Sequence, residues 1–207
     1  MNHYDVRSIY SRDIGMSLAR TFDKNVLQVV ALTARASATV TGGNGGTVIT
    51  SANSKTVAAD LEAAIFDAVQ AFDEKDVPQN DRYVGLKPEQ YYLLVQGSTK
   101  VIHRDYNPAP NGGYALGRVY QIAGCEVVMT NNLPVTNVTT GPAAYQGNFT
   151  TLAALVWQKM AAGTVKLVDL ALESEYLIEY QGTLMLGKYA LGHGILRPEC
   201  SAEIKTA

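Results

Sequence analysis

The beginning of this chain constrains its fold more than any other segment. Residues 5–35 contain no proline, and only Gly15 interrupts a run of good helix formers. Apolar side chains recur at Val6, Tyr10, Ile14, Leu18, Phe22, Val26 and Val30, with Ile9, Leu27 and Leu32 widening the stripe. A four-residue step keeps such side chains on one face of a helix. At 1.5 Å per residue that helix is roughly 45 Å long, well beyond an ordinary globular helix. A coiled coil fits poorly, because a strict four-residue step drifts from the 3.5-residue seam and the charges do not form e/g pairs. The pattern predicts one long helix lying across a sheet or against neighbouring molecules. Leu18, Phe22 and Val26 are expected to be buried against strands formed by residues 178–207.

The segments that follow are shorter. A glycine-rich loop, TGGNGGT, occupies residues 41–47. Ser54 is placed to cap a second helix over residues 55–73, whose apolar set (Val57, Leu61, Ala64, Ile65, Ala68, Val69 and Phe72) has 3.6-residue spacing. Residues 82–86 read as a strand, and Pro88 opens a third helix that runs to about Gln96. Residues 107–113, NPAPNGG, are a loop. Residues 119–122 and 126–130 are β-rich segments joined by a kink at Ala123, Gly124 and Cys125. Residues 131–148 are turn formers almost throughout and are expected to form a long exposed loop. Strand-like runs at 152–157 and 183–191 flank a charged stretch at 169–175. Helices and strands fall in segregated runs without βαβ alternation, so the fold class is α+β.

Composition removes several function classes. With 17 basic and 19 acidic residues the net charge is −2, so no global field draws the chain onto nucleic acid or an anionic membrane. The longest apolar run, residues 152–157, is far too short to span a bilayer, and MNHYDVRS has no secretory-signal pattern. Without such a signal the sequons at Asn137 and Asn148 are chance matches. Cys125 and Cys200 stand alone, outside any CxxC pair, and are expected to be reduced and well apart.

The candidate chemical motifs are weak. Residues 42–46 lack the lysine and hydroxyl of a phosphate loop, being followed by Thr47, Val48 and Ile49. His3, His103 and His193 are scattered, none with a second ligand at i+3 or i+4. Asp73, Glu74 and Asp76 cluster at a helix end, where a solvated surface is the simplest reading. Residues 100–106 (KVIHRDY) mix basic and aromatic side chains, but two cations offset by an aspartate make a small patch. No catalytic, cofactor-binding or metal-ligating residue is assigned, and no cofactor is expected.

Two stretches carry a resemblance. The opening MNHYDVRSIYSRDIGMSLARTFDKNVL resembles the start of the spine helix in major capsid proteins of T-seven-like short-tailed bacteriophages. The close, AGTVKLVDLALES and then GKYALGHGILRPE, resembles the end of those proteins across residues 162–199. It includes Lys188 to Gly194 and then Arg197, Pro198 and Glu199. The middle matches more loosely, through the Arg82 strand, the Pro88 helix, and Gly124 to Val128 leading to Leu133 and Pro134.

This resemblance implies the tailed-phage capsid fold, with a peripheral domain on the spine helix and a long sheet around a compact axial domain. Residues 1–38 and 174–207 would be peripheral and residues 39–173 axial. It also implies a structural subunit and no enzyme. Its partners would be copies of itself in hexamers and pentamers, a scaffold protein and a portal, with packaged double-stranded DNA nearby and no membrane. The place would be the virion, after synthesis in the bacterial cytoplasm. The family's N-terminal arm and extended hairpin have no counterpart in this sequence, so the chain is not expected to close shells alone. An encapsulin-like compartment subunit shares the fold, but the terminal strings favour the phage proteins. An unrelated α+β enzyme would need an apolar pocket with convergent polar groups.

Overall fold

The computed structural model describes residues 6–97, 112–113 and 117–207. The first helix, α1, runs unbroken over Val6–Arg35, as its apolar stripe predicts. It is followed by strand β1 (Thr47–Thr50), helix α2 (Ala58–Glu74), strand β2 (Arg82–Leu86) and helix α3 (Pro88–Gly97). Then come β3 (Gly112–Gly113), β4 (Arg118–Val119), β5 (Gln121–Ile122), β6 (Cys125–Met129), β7 (Asn137–Val138) and β8 (Gly147–Asn148). The chain closes with β9 (Leu152–Gln158), β10 (Ala162–Leu177), β11 (Gly182–Ile195) and β12 (Ser201–Lys205).

Six strands form one mixed sheet in the order β1-β12-β9-β2-β6-β5. Its centre is β9, whose sequence LAALVWQ is apolar nearly throughout because both faces of the sheet are covered. On one face, Leu61, Ile65 and Phe72 of α2 and Leu94 of α3 pack with Val84, Val156 and Ile204. On the other, Val30 and Ala31 of α1 pack with Leu133, Phe149, Leu152 and Leu155.

β10 and β11 stand apart as an antiparallel ribbon, paired from Ala162↔Ile195 at the root to Leu177↔Gly182 at the tip. Irregular pairing between Lys166 and Ala171 breaks its alternation. A two-stranded ribbon is marginal alone and needs a packing partner. That partner is α1. Gly187 permits the close approach, since a Cβ there would overlap Ile14 Cγ2 and meet Leu18 Cδ1 at 3.2 Å. Leu18 and Phe22 thus lie against the ribbon, half-buried, whereas Val26 packs into the cluster around Phe149. The charged stretch at 169–175 lies within β10. The boundary drawn at 173/174 falls inside that same strand, and β12 stands in the six-stranded sheet between β1 and β9.

Three local expectations are corrected. Helix α2 begins at Ala58, with Val57 as an N-cap that makes no side-chain bond. The Ser54 hydroxyl instead donates to the Ser51 carbonyl at 2.9 Å, which closes a turn and delays the helix. Residues 123–124 form a two-residue hairpin loop and not a kink, with φ of 51° at Ala123 and 76° at Gly124 and Ile122 paired to Cys125. Positive φ at both central residues matches the right-handed twist of the flanking strands. The 131–148 segment is partly structured by the β7–β8 pair and a 3-10 turn at Ala143–Tyr145, and its Leu133 is buried.

Candidate functional site

Two of the weak motifs, the glycine loop and the acidic cluster, are engaged in structural contacts. Carbonyls, not amides, of the glycine loop converge on a cation. The Lys75 ammonium donates to Gly45 O at 2.8 Å, Gly46 O at 3.2 Å and Thr47 Oγ1 at 2.6 Å. A phosphate cradle has the opposite polarity, offering backbone N–H groups. Burial pushes the Lys75 pKa down. Of the acidic cluster, Asp73 accepts from buried Arg82 at 2.7 Å and Glu74 accepts from Gln70 at 2.8 Å. Arg82 also donates to the Pro78 and Val77 carbonyls and lies over the Phe72 ring, fastening the end of α2.

Cys125 and Cys200 are free thiols in the main core. Burial raises both pKa values, Cys125 to about 11, so neither carries thiolate character near neutrality. His3, His103 and residues 100–106 lie outside the described residues. Among the described residues no His, Cys, Asp or Glu group is arranged to hold a metal ion, and no helix is long and apolar enough to cross a membrane.

His193 occupies the joint between ribbon and helix. Its Nδ1 shares a 2.9 Å hydrogen bond with Thr164 Oγ1, and its backbone N–H donates to the Tyr145 hydroxyl at 3.0 Å. Phe22 meets the imidazole edge to face, with ring centroids 4.8 Å apart. Nε2 is buried without a hydrogen-bond partner among the described residues. Burial lowers the His193 pKa, because protonation would put a charge where water does not solvate it. A folded-state pKa below the unfolded value means the joint is at full strength above about pH 6.5 and weakens as pH falls below it. Hydrogen exchange, corrected for intrinsic rates, should show 182–195 opening more readily at acid pH in the wild type than in His193→Gln. Equal pH dependence in both proteins would count against this role.

Exposed apolar surface is the other distinctive feature. Val165, Leu167, Leu170, Tyr176, Ile178 and Tyr180 of the ribbon and its tip are each more than half exposed. A groove of about 190 Å³ between α1 and the ribbon is lined by Leu18, Phe22, Val168, Tyr189 and Leu191 among others. Contiguous exposed apolar surface marks contacts between proteins. The distinctive features of the described residues are thus exposed apolar surfaces and not a chemical site.

Comparison with known proteins gives the particular family. The Gp10A-like major capsid protein family matches residues 1–205, and the chain belongs to that family. The major capsid protein of Escherichia phage T7 is 31% identical over 231 residues, an alignment covering 99% of this chain and 66% of that protein. The chain thus spans just under two thirds of that relative. The capsid structure of cyanophage P-SCSP1u superposes with a TM-score of 0.89 at 40% identity, covering 100% of this chain and 68% of that one. The mature capsid of bacteriophage PhiM1 superposes with a TM-score of 0.81 at 21% identity over 100% of this chain and 66% of that one, which speaks for the fold alone. The fold is the α+β fold of tailed-phage capsid proteins.

Proposed function

We propose that copies of this chain are shell subunits, tiling an icosahedral phage head around double-stranded DNA as hexamers and pentamers. The observation that carries this reading is the ribbon, with large apolar side chains left in water and, among the described residues, both strand edges unpaired. Unpaired edges and exposed apolar faces favour covering by another chain. The peripheral part is α1 with the ribbon, residues 162–195; the axial part is the six-stranded sheet with α2 and α3. A scaffold protein and a portal are further partners, the finished place is the virion after synthesis in the host cytoplasm, and the chain has no catalytic role. The family match over residues 1–205 favours this reading over a compartment shell.

Sedimentation velocity tests self-association directly. Oligomers that grow between about 1 and 100 μM are expected, since specific contacts need roughly 1,000 Å² and weaker ones appear only at higher concentration. A chain that stays monomeric throughout that range contradicts the proposal.

A further inference from the structure

Two helical faces of this molecule carry opposite charge. Helix α2 holds five carboxylates, Asp60, Glu62, Asp67, Asp73 and Glu74, and neither lysine nor arginine. Asp73 is engaged by Arg82 within the molecule, but Phe66, Asp67, Gln70 and Glu74 lie on its outer face, which begins near Ala63. Helix α1 is the reverse. Its exposed residues Arg12, Met16, Arg20 and Lys24 follow at four-residue steps, and Asp13 and Asp23 are its only carboxylates. The chain as a whole has a net charge of only −2, so charge is segregated and not merely in excess.

Each face also carries a large apolar side chain in water. Phe66 is 51% exposed and Met16 is 40% exposed. The surface around Phe66 is dished and lined by Asp67, Val69, Gln70, Asp73 and Glu74. An apolar anchor ringed by charge has the anatomy of a protein–protein contact. Arg12 to Lys24 spans about 18 Å and Phe66 to Glu74 about 12 Å at helical rise, so the acidic patch fits within the length of the basic stripe. Neither face suits itself, since a two-fold contact of α1 on α1 or α2 on α2 would set like charges together.

We propose that the basic face of α1 on one copy docks on the acidic face of α2 on the next. Such a head-to-tail contact uses two different surfaces of one chain, and its repetition closes rings when the rotation permits. The inference rests on the shell-subunit reading and names a surface by which neighbours meet. The basic stripe would also attract phosphates, but Met16 at its centre and the exposed Phe66 opposite favour a protein partner.

Charge reversal gives the test, using the full chain. One variant carries Arg12→Glu and Arg20→Glu, the other Asp67→Lys and Glu74→Lys. Each alone should associate about tenfold more weakly than wild type, because like charges then face each other. An equimolar mixture should recover wild-type association, since each altered face now meets its complement on the other variant. Recovery on mixing also shows that neither variant failed to fold. Wild-type association should weaken from about 50 mM to about 500 mM salt through screening. Variants that associate like wild type, or a mixture as weak as its components, overturn the inference and leave the shell-subunit reading standing. So does a loss of binding to a double-stranded DNA probe in the Arg12→Glu, Arg20→Glu variant with association unchanged, which would assign the α1 face to nucleic acid. A wild-type chain that never associates overturns both.

Discussion

Arg35→Met should destabilise the chain by about 3 kcal/mol, because it strands a carboxylate in the core. Glu203 lies in β12 with no solvent exposure, and the Arg35 guanidinium donates to it twice, from Nε at 2.6 Å and Nη2 at 2.5 Å. The same guanidinium donates from Nη1 to the Asn148 carbonyl at 2.8 Å and lies 5.1 Å from the centre of the Phe149 ring. One side chain thus fastens the end of α1 to the central sheet and to β8. The hydrogen bond from Arg35 to Glu203 raises the Arg35 pKa, so the cation persists across the working pH range. The Arg35 side chain keeps 30% exposure, which puts the effect at the lower end for breaking a buried pair. The double change Arg35→Met with Glu203→Leu should recover most of the loss, since a buried pair contributes little net stability over an apolar replacement. Urea unfolding reads both. A single-variant loss below about 1 kcal/mol, or a double variant no better than the single, would show that the pair is not the fastening argued here.

Gly46→Ala should cost about 3 kcal/mol by overpacking, although it adds one methyl group. A Cβ at Gly46 would overlap the Ala34 carbonyl oxygen and lie 2.5 Å from that of Thr33. Both are backbone atoms at the end of α1, so no rotamer change relieves the contact. The substitution would pry β1 from the helix and disturb the carbonyls that hold Lys75. Gly15→Ala is the internal control. Nothing lies within 4 Å of its added Cβ, and it sits mid-helix, so it should stabilise by about 0.5–1 kcal/mol. Thermal unfolding of the two variants should move in opposite directions. Similar shifts would refute the steric account.

How far these features are legible in the sequence depends on the range of the force that makes them. Helix α1 can be read end to end because its stripe is a local pattern repeated over 30 residues. The buried strand β9 shows itself as an uninterrupted apolar run. The α2 cap is misread because the Ser54 hydroxyl donates to the Ser51 carbonyl in a turn instead of accepting from the helix amides, a choice that residue type does not reveal. The full length of the ribbon escapes a local reading because irregular pairing between Lys166 and Ala171 destroys strict alternation, and because Lys188 and Glu173 form an ion pair amid apolar neighbours. The Arg35–Glu203 pair joins residues 168 apart and leaves no local trace beyond an acid in an apolar strand. The functional surfaces are the least legible. A motif marks a chemical site, whereas a face built for contact is marked only by exposure, which exists once the chain has folded.

Helix α1 belongs to two packing units at once, with Ile14, Leu18 and Phe22 against the ribbon and Val26, Val30 and Ala31 on the sheet. The ribbon leaves the body at one narrow root, where Ala162 pairs with Ile195 and Leu196 N–H donates to Ala161 O at 3.1 Å. From that root to the tip, the 14 residues of β11 reach about 45 Å at strand rise. This is a lever with its pivot at the root and the helix as its brace. A tilt of about five degrees at the pivot carries the tip about 4 Å, close to one strand spacing. A small angular difference at the root is therefore a large displacement at the tip, and the packing of Ile14 and Leu18 against Gly187 is what holds that angle.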